Sequence, residues 1–315
     1  MSIIFGPINS RRFGKSLGID LSPNTKQCNF DCLYCELKSA KPTNSYSNIV
    51  SVNEVIDEIK KALKRYKDID ILTLTANGEP TLYPYLNELI DKINGFKGSI
   101  KSLILSNSST IYKKDIQIAL SKLDFVKLSL DCATKRCFKR LDRAVDEIDL
   151  DTIKKGMLEF SKIYKGNLII EILFVKGIND NLDEVAKLNE FLVKLKPQRV
   201  DLSTIDRPPA YDIKPISYDE LFKLSLGFSK DLNINIATKQ KSNIAKFDYS
   251  KEEILQTLSL RPLTLEDIEV LFSNSSKELF YKLLQDGKIK KVKSADIEFF
   301  RSSDDKRDSP FTAKE

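Results

Sequence analysis

Cys28-Asn-Phe-Asp-Cys32-Leu-Tyr-Cys35 is the most informative stretch of this sequence, because it places three thiols on one short segment. On a tight loop, thiols at spacings of four and three residues can reach three corners of an iron–sulfur cubane, and thiolates are the ligands of such clusters. Because only three ligands are offered, one iron keeps an open coordination position. The alternatives are a zinc site and three unrelated buried cysteines. Zinc would need a fourth ligand, yet the chain has no histidine and its other two cysteines lie about a hundred residues away.

Around this loop the chain alternates between short apolar runs, which predict strands, and amphipathic stretches, which predict helices. The predicted strands are residues 17–21, 69–75, 103–105, 125–130, 168–175 and 200–204. The predicted helices are residues 52–65, 85–93, 113–120, 150–164 and 182–195. Such alternation predicts an α/β fold with a parallel sheet. Because six units are too few for a closed eight-stranded barrel, we expect a partial (β/α)6 TIM-like barrel, with a flat doubly wound sheet as the alternative.

The pattern changes near residue 246. Helical stretches at 251–258, 265–272 and 277–286 precede a lysine-rich run and a short apolar run at 297–301, which predict a hairpin. Thr264 is placed to cap the second helix, and Asn274 or Ser275 the third. Three helices and a β-ribbon resemble a winged helix. We therefore predict a barrel domain at 1–245, a small winged-helix-like domain at 246–302, and a disordered tail at 303–315.

The composition limits the chemistry that the chain can perform. Its 315 residues suit one barrel-sized domain with a small appendage. The lack of histidine excludes mechanisms that need an imidazole base or ligand. A net charge of +6, spread over the chain, is compatible with a polyanionic substrate. With no pattern typical of a signal peptide or membrane span, we expect a cytoplasmic protein that makes no contact with a membrane, whose cysteines are metal ligands or free thiols.

The cysteine loop resembles the CxxxCxxC motif of the radical S-adenosylmethionine (SAM) superfamily, and Tyr34 matches the aromatic residue before the third cysteine. The resemblance implies a [4Fe–4S] cluster held by Cys28, Cys32 and Cys35, with SAM bound to its open iron through amino and carboxylate groups. It implies that one electron, from a donor such as a flavodoxin or ferredoxin, cleaves SAM to methionine and a 5′-deoxyadenosyl radical. That radical would abstract hydrogen from a substrate, while the protein orients the cofactors.

A second segment, Thr75-Ala-Asn-Gly78-Glu79-Pro80, follows a predicted strand and places a carboxylate and backbone carbonyls at its carboxyl end. Active sites of barrel folds lie at that end of the strands. In radical SAM proteins the equivalent segment binds the SAM ammonium, and Gly78, Glu79 and Pro80 match it residue by residue. The alternative is an ordinary strand-to-helix turn.

Two further strand ends carry polar side chains. Asn107 ends the third predicted strand in a segment that resembles the family's Thr/Ser-Asn-Gly edge, although Ser108 stands where glycine is usual. Ser129 and Asp131 end the fourth predicted strand, where relatives contact the SAM ribose and carboxylate. The resemblance therefore makes Asn107, Ser129 and Asp131 candidates for SAM binding. The alternative for Ser129 and Asp131 is a solvated strand end.

Three other residues have less defined roles. Cys132 and Cys137 are too few to hold an auxiliary cluster, so we expect them to be free thiols. Arg207, followed by two prolines at the end of the sixth strand, can bind a substrate carboxylate or phosphate in a bidentate manner. The alternative is a surface arginine on a rigid loop. The sequence indicates no catalytic acid or base.

The segment from Phe5 to Pro23 resembles a poorly characterised group of radical SAM proteins related to wyosine-type tRNA-modifying enzymes. This makes tRNA base modification the first hypothesis, with a peptide or small-molecule substrate left open. One alternative is a redox or iron-sensing regulator that binds nucleic acid through its C-terminal domain, and another is a zinc-binding structural module. The predicted ribbon is basic, since it contains Lys288, Lys290, Lys291 and Lys293, but residues 250–315 as a whole are not.

Overall fold

The computed structural model describes residues 2–10, 13–236, 248–260, 262–294 and 297–303. Within these ranges, eight strands form the main sheet, and each is paired with the next along the chain. They are β1 (Ile4–Ser10), β2 (Gly14–Asp20), β3 (Ile71–Thr75), β4 (Lys101–Ser106), β5 (Phe125–Ser129), β6 (Asn167–Phe174), β7 (Arg199–Thr204) and β8 (Ile234–Ile236). The pair β1–β2 is antiparallel, and all later neighbours are parallel.

The sequential strand order decides between the two predicted topologies. A doubly wound sheet reverses its order at a switch point, whereas the wall of a barrel does not. This sheet does not reverse, so the flat doubly wound alternative is wrong. Within the part of the chain that the structure describes, β1 and β8 do not pair, and the wall stays open. The predicted parallel α/β sheet is confirmed, and its six predicted strands correspond to β2–β7.

The helices that cover this sheet are α1 (Val52–Arg65), α2 (Leu86–Asn94), α3 (Lys114–Leu120), α4 (Lys135–Leu141), α5 (Leu150–Ile163), α6 (Leu182–Leu195) and α7 (Tyr218–Ser225). Helix α1 has its predicted bounds because Ser51 accepts a hydrogen bond from the Glu54 amide, and its apolar side chains share one buried face. Among the described residues, no helix has the length and apolar character needed to cross a membrane.

One face of the sheet carries charged side chains among apolar ones such as Ile169, and the opposite face is mainly apolar. Side chains alternate along a strand, and in β6 Leu168, Ile170 and Ile172 are buried on one side. On the other side Glu171 accepts a hydrogen bond from the Lys127 ammonium of β5 at 2.5 Å. Asp201 of β7, fully buried, lies 3.5 Å from the same ammonium. An ionic layer therefore crosses three strands inside the partial barrel.

The C-terminal segment contains α8 (Lys251–Leu260), β9 (Leu263–Thr264), α9 (Leu265–Leu271), α10 (Asn274–Gln285), β10 (Ile289–Ser294) and β11 (Ile297–Ser302). Its described strands form an antiparallel sheet in the order β10-β11-β9. Buried Phe272, Phe280 and Phe300 belong to a core separate from that of the main sheet. The predicted boundary at 245/246 and the tail beyond Ser303 lie outside the described residues.

Helix caps in this segment agree only in part with the sequence. Thr264 caps α9 as predicted, in a reciprocal capping box with Asp267. Ser273, rather than Asn274 or Ser275, caps α10 by accepting a hydrogen bond from the Ser276 amide. The helix begins at Asn274, so the predicted start at 277 is one turn too late. The alternative caps are wrong because both residues lie inside the first turn.

Candidate functional site

The three cysteines lie on the long loop between β2 and α1. All three are half-buried and carry free thiols. The Cys35 amide donates to the Cys32 carbonyl at 3.1 Å, and the Thr43 amide donates to the Cys28 carbonyl at 2.7 Å. The Cys28 sulfur faces the Phe30 amide at 3.4 Å. Backbone hydrogen bonds therefore hold the loop in a fixed turn, with N–H groups directed at sulfur.

Burial governs the protonation of these thiols. It raises the pKa of Cys28 to about 12, an effect to which the nearby Glu79 carboxylate adds. It also raises the pKa of Cys32 far above the ordinary value, with Asp142 adding to the effect. The pKa of Cys35 rises for the same reason, although Lys26 opposes the change. Without a metal the thiols keep their protons, so metal binding must release them.

Lys26 lies beside the cysteines with its side chain only 8% exposed. Its ammonium has no hydrogen-bond partner of normal geometry among the described residues, and its closest carboxylate oxygen, on Asp31, is 3.6 Å away. Burial alone would lower the pKa of Lys26, but the nearby Asp31 carboxylate and the thiols of Cys35 and Cys28, once ionised, outweigh burial and raise it. A buried cation is costly unless an anionic partner compensates for lost hydration.

These features fit an anionic iron–sulfur cluster bound by the three cysteines. The orphaned Lys26 ammonium and the N–H groups directed at Cys28 are the surroundings that thiolate-bound clusters use. In the described parts of the chain, no three Cys, Asp or Glu side chains are close enough to hold a single metal ion. A cubane cluster is larger than a single ion, and each thiolate binds a different iron, so its ligand sulfurs can lie further apart.

Gly78 joins the second predicted segment to the cysteine loop. It pairs with Gln27 in a parallel bridge, in which the Gln27 amide donates to Asn77 and the Glu79 amide donates to Gln27, at 2.9 and 3.0 Å. The backbone of Gly78 has φ 141°, and a Cβ there would lie 2.0 Å from the Gln27 carbonyl oxygen. Only glycine permits this approach, which brings the Gly78-Glu79-Pro80 segment next to Cys28.

The Glu79 carboxylate points into the protein and is 1% exposed. One of its oxygens accepts from the Thr81 amide, the Thr81 hydroxyl and the Ser106 hydroxyl at 2.6–2.9 Å. The other accepts from the Asn107 amide at 2.7 Å. Burial raises the pKa of Glu79, and these hydrogen bonds oppose the rise. The carboxylate thus fixes the segment to the end of β4, while Pro80 begins a short 3-10 turn (Pro80–Leu82).

We expect Glu79→Gln to lower the free energy of unfolding by about 1–3 kcal/mol, because an amide NH₂ would face backbone donors at either oxygen position. SAM affinity should fall as well, since Asn107 and the adjoining loop lose their anchor. Urea unfolding and equilibrium dialysis with SAM measure the two effects. Glu159→Gln is the matched control, since its exposed ion pair with Lys114 contributes little. A wild-type urea midpoint in Glu79→Gln would contradict the anchoring role.

Asn107 links the end of β4 to the first cysteine. Its side-chain amide lies 3.5 Å from the Cys28 sulfur and donates to Asn29 at 3.0 Å. The next residue, Ser108, stands where the family pattern has glycine and adopts φ 71°. Its hydroxyl donates to the Ser129 carbonyl at 2.8 Å. A serine therefore holds the left-handed turn with a hydrogen bond that glycine cannot make.

Tyr34 and Asp131 connect the cysteine loop to the end of β5. The Tyr34 hydroxyl donates to one Asp131 oxygen at 2.5 Å, and the Leu173 amide donates to the other at 2.7 Å. Burial raises the pKa of Asp131 to about 7. Both carboxylate oxygens are thus already engaged. Tyr34, Asn107, Ser129 and Asp131 line one narrow pocket, whose other walls include Phe30 and Phe138.

Arg207 lies at the edge of the cysteine loop rather than over an open cavity. Its guanidinium contacts both oxygens of Glu36 at 3.0 Å. The Ala210 amide donates to the Cys35 carbonyl at 2.8 Å, and the Tyr211 hydroxyl donates to Asp31. Both contacts are made by the single nitrogen Nη1, so the arginine predicted to bind a substrate contacts Glu36 in this structure without a two-nitrogen fork. The segment after β7 therefore braces the loop at Cys35.

The prediction of free thiols at Cys132 and Cys137 is wrong. The two sulfurs form a disulfide, with Cα atoms 5.5 Å apart. Thr134 begins α4 by accepting a hydrogen bond from the Cys137 amide, and this turn brings the two cysteines together. Both are nearly inaccessible. The general expectation of reduced cysteines overlooked this local geometry.

Asp20 ends β2 and supports the loops on both sides of the site. A single carboxylate oxygen accepts from the Ser22 and Asn77 amides, each at 2.8 Å. Burial raises the pKa of Asp20 to about 6, although these hydrogen bonds oppose it. The unfolded value is about 3.9. Because the folded pKa is the higher one, the contribution of Asp20 to stability is fully present below pH 4 and is lost as the pH rises through 6.

We therefore expect Asp20→Asn, which keeps the accepting oxygen, to remove this pH dependence. Between pH 4 and pH 7.5 the difference in unfolding free energy between the variant and the wild type should change by about 2–3 kcal/mol, in favour of the variant at the higher pH. Urea unfolding of the metal-free protein at both pH values measures it. The exposed control Asp57→Asn should show no such change. Parallel pH profiles for Asp20→Asn and wild type would disprove the assignment.

The sequence did not identify several residues that matter here, among them Asp20, Lys26, Gln27, Glu36 and Tyr211. Gln27 is 2% exposed, and its side-chain carbonyl accepts from the Ser47 and Asn48 amides. Lys26 and Gln27 directly precede Cys28, so proximity to the motif was the available signal. Glu36 directly follows Cys35, so its proximity to the motif was again the available signal. No sequence pattern indicated a role for Tyr211, because only the fold brings it to Asp31.

Comparisons with known proteins agree with this geometry. A family model described as the radical SAM superfamily matches residues 23–189. A UPF0026 protein of Helicobacter pylori (strain J99) is 42% identical, over 95% of this chain and 97% of that protein. A probable GTP 3',8-cyclase of Methanococcus aeolicus is 28% identical, over 61% of this chain and 65% of that one. The crystal structure of a radical SAM methyltransferase from Sphaerobacter thermophilus has the same fold, with a TM-score of 0.55, 12% identity, and coverage of 70% of this chain and 66% of that one. This chain belongs to the radical SAM superfamily, whose members bind a [4Fe–4S] cluster and SAM.

Proposed function

We propose that this radical SAM enzyme binds its cluster through Cys28, Cys32 and Cys35, and binds SAM across the adjoining ends of β3, β4 and β5. One observation carries the proposal. Each part of the cysteine loop contacts a different strand end: Gln27 pairs with Gly78, Cys28 faces Asn107, and Tyr34 bonds to Asp131. The segments that the family resemblance assigns to SAM thus surround the thiols.

The chain's own residues bind and shield the cofactors. The cluster that Cys28, Cys32 and Cys35 would hold would, when reduced, supply the electron for cleavage of SAM to methionine and a 5′-deoxyadenosyl radical, the species that would abstract hydrogen from the substrate. In the Gly78-Glu79-Pro80 segment the Glu79 carbonyl accepts from the Tyr46 hydroxyl at 2.9 Å and the Pro80 carbonyl from the Tyr83 amide. The Gly78 carbonyl would therefore accept from the SAM ammonium. The pocket lined by Ser129, Phe30 and Phe138 offers apolar walls and a hydroxyl for the nucleoside. Tyr34 and Asp131 position the loop through their hydrogen bond rather than by contact with SAM.

For the substrate we propose a nucleotide-containing molecule, with a tRNA base as the first choice. The similarity to a probable GTP 3',8-cyclase supports this class, since the name of that protein specifies a purine nucleotide. The ionic layer of Lys127, Glu171 and Asp201 provides polar groups inside the partial barrel that a nucleotide could contact. Arg207 would bind substrate only if it left Glu36. The electron would come from a donor such as a flavodoxin or ferredoxin.

For the C-terminal segment, residues 246–302, we propose a winged-helix-type module that recognises this substrate. The order of its elements, helix, strand, two helices and a two-stranded ribbon, supports this comparison. Of the ribbon lysines, Lys288 is exposed, whereas Lys291 is paired with Glu298 at 2.9 Å. We expect the fourfold Lys→Gln variant at 288, 290, 291 and 293 to bind tRNA more weakly and with less salt dependence, at unchanged stability. If tRNA binding and its salt dependence are unchanged in a filter-binding titration, the C-terminal module does not recognise the substrate.

The proposed function is tested with the full chain, reconstituted anaerobically with iron and sulfide. With reductant and SAM it should release 5′-deoxyadenosine, and total tRNA or GTP should increase that release and yield a modified nucleoside. Cluster loading without SAM binding would overturn the proposal and favour an iron–sulfur regulator. SAM cleavage that neither tRNA nor GTP stimulates would leave the enzyme class intact and exclude the proposed substrates.

A further inference from the structure

We propose that an exposed basic surface beside the cysteine loop is the docking site for the acidic protein that donates the electron. This surface, the basic face, is formed by Lys38 of the loop and by Arg136, Lys139 and Arg140 of α4. The inference rests on the proposed function, because it requires a cluster at the three cysteines. One electron would pass from the donor, such as a flavodoxin in its hydroquinone form, to the oxidised cluster, and the flavin would become a semiquinone.

The first support is a stripe of cations along one side of α4. Arg136, Lys139 and Arg140 are spaced by three and four residues, so they share one side of the helix, while its buried side chains occupy the other. All three are exposed, and among the described residues none of them makes an ion pair. Between residues 132 and 145 the only acid is Asp142, which is buried. Such a surface attracts an acidic partner.

The second support is the direct contact of the end of α4 with the cysteine loop. The Leu33 amide donates to the Leu141 carbonyl at 2.9 Å, and the Asp31 amide donates to the Asp142 carbonyl at 3.1 Å. Cys32 lies between these two hydrogen bonds, and its sulfur is 3.7 Å from an Asp142 carboxylate oxygen. The stripe of cations therefore ends beside a ligand sulfur, so a donor bound to it stands close to the cluster.

Lys38 adds a cation from the cysteine loop itself. The hydroxyl of its neighbour Ser39 donates to an Asp31 oxygen at 3.4 Å, and the Arg143 guanidinium lies 3.4 Å from the same oxygen. Arg143 follows Arg140 by three residues, so this shared contact brings Lys38 to the end of α4. Lys38 is exposed and has no ion pair within the part of the chain that the structure describes. The basic face thus spans both segments next to the thiols.

The size and composition of the basic face favour an acidic protein over the RNA substrate. Complexes for electron transfer are transient and have small interfaces, a class that a helix of 7 residues and one loop fit. Proteins that recognise single-stranded RNA stack its bases on exposed aromatic side chains. Phe138, the only aromatic residue of α4, is buried. Along the chain the cationic segment ends at the exposed acids Asp146 and Glu147.

The first test measures the binding of an oxidised flavodoxin of strongly negative net charge to the reconstituted full chain by isothermal titration calorimetry. With all four cations of the basic face changed to Gln, affinity at low ionic strength should fall about tenfold or more. Added salt should bring the wild type towards that variant.

The matched control is the fourfold Lys→Gln variant at 64, 67, 162 and 165, which removes the same charge from exposed lysines. These lysines precede the amino ends of β3 and β6, whereas the cysteine loop follows the carboxyl end of β2, so they lie at the opposite end of the sheet. The control variant should bind flavodoxin as the wild type does. If it loses as much affinity as the variant of the basic face, only net charge matters and the inference fails.

The second test compares two reductants in the release of 5′-deoxyadenosine from SAM. With flavodoxin hydroquinone, the variant of the basic face should be about tenfold slower than the wild type or more. With photoreduced deazaflavin, a small reductant that needs no docking surface, the two should be equal, which shows that the fold and the cluster are intact. Should the fourfold variant fail to hold its cluster, Lys139→Glu carries the same comparison.

Unchanged affinity and rate with flavodoxin would overturn the inference, and weaker binding of total tRNA by that variant would then assign the basic face to RNA. An equal loss of rate with both reductants in a variant that keeps its cluster would also overturn it. Wild-type protein that cleaves SAM with deazaflavin but not with flavodoxin or ferredoxin would refute this inference alone. If the wild type cleaves SAM with none of them, the proposed function fails first.

Discussion

Cys32→Ala, reconstituted anaerobically, should lose the broad visible absorbance of the cluster and fall from about four irons per chain to fewer than one. The reason is the ligand count. Three half-buried thiols stand on one loop, and no other cysteine with a free thiol exists in the chain to replace a lost ligand. With two thiolates left, a second iron of the cluster would have no protein ligand. Cys28→Ala and Cys35→Ala should give the same result.

The disulfide supplies a matched control for this experiment. The double variant Cys132→Ser/Cys137→Ser removes two cysteines outside the loop, and it should keep about four irons per chain. Iron and sulfide analysis after desalting, together with the visible spectrum, makes the comparison. If Cys32→Ala retains four irons while the control loses them, the ligands have been assigned to the wrong cysteines.

The strands of the main sheet show how far the sequence predicts this fold. Strands β2–β7 were found because β-branched apolar runs repeat with amphipathic helices between them. Strand β1 was missed because Gly6 and Pro7 interrupt it, and β8 because three residues are too few for a pattern. Helix α7 was missed although Ser217 and Glu220 form a capping box, a signal present in the sequence.

The site was predictable to the level of segments but not of contacts. The motif and the strand ends identify which residues come together, and the hydrogen bonds between them agree. The sequence could not predict the direction in which each side chain points. Glu79 and Asp131 were expected to meet SAM, yet their carboxylates are taken up by backbone amides and hydroxyls. Such pairings depend on residues far apart in the chain, as in the contact of Arg207 with Glu36.

Gly78→Ala tests the junction between the two central segments, and we expect it to lower the free energy of unfolding by about 4 kcal/mol or more. Two effects combine. The backbone at φ 141° is one that side chains rarely adopt, and the added Cβ would lie 2.0 Å from the Gln27 carbonyl oxygen and 2.4 Å from its carbon. Neither neighbour is a flexible side-chain end. Relief therefore requires the bridge between Gln27 and Gly78 to open.

Opening that bridge should also disturb the cluster, because Gln27 directly precedes Cys28. We expect iron content after reconstitution to fall in Gly78→Ala even at temperatures where the protein stays folded, as judged by circular dichroism. Gly98→Ala is the matched control: φ is 58°, but nothing lies within 4 Å of the added Cβ. It carries only the backbone cost of a left-handed residue, about 1–2 kcal/mol, and should keep its full iron content. If the two variants lose equal stability and both bind iron fully, the contact between Gly78 and Gln27 does not hold the cysteine loop in place.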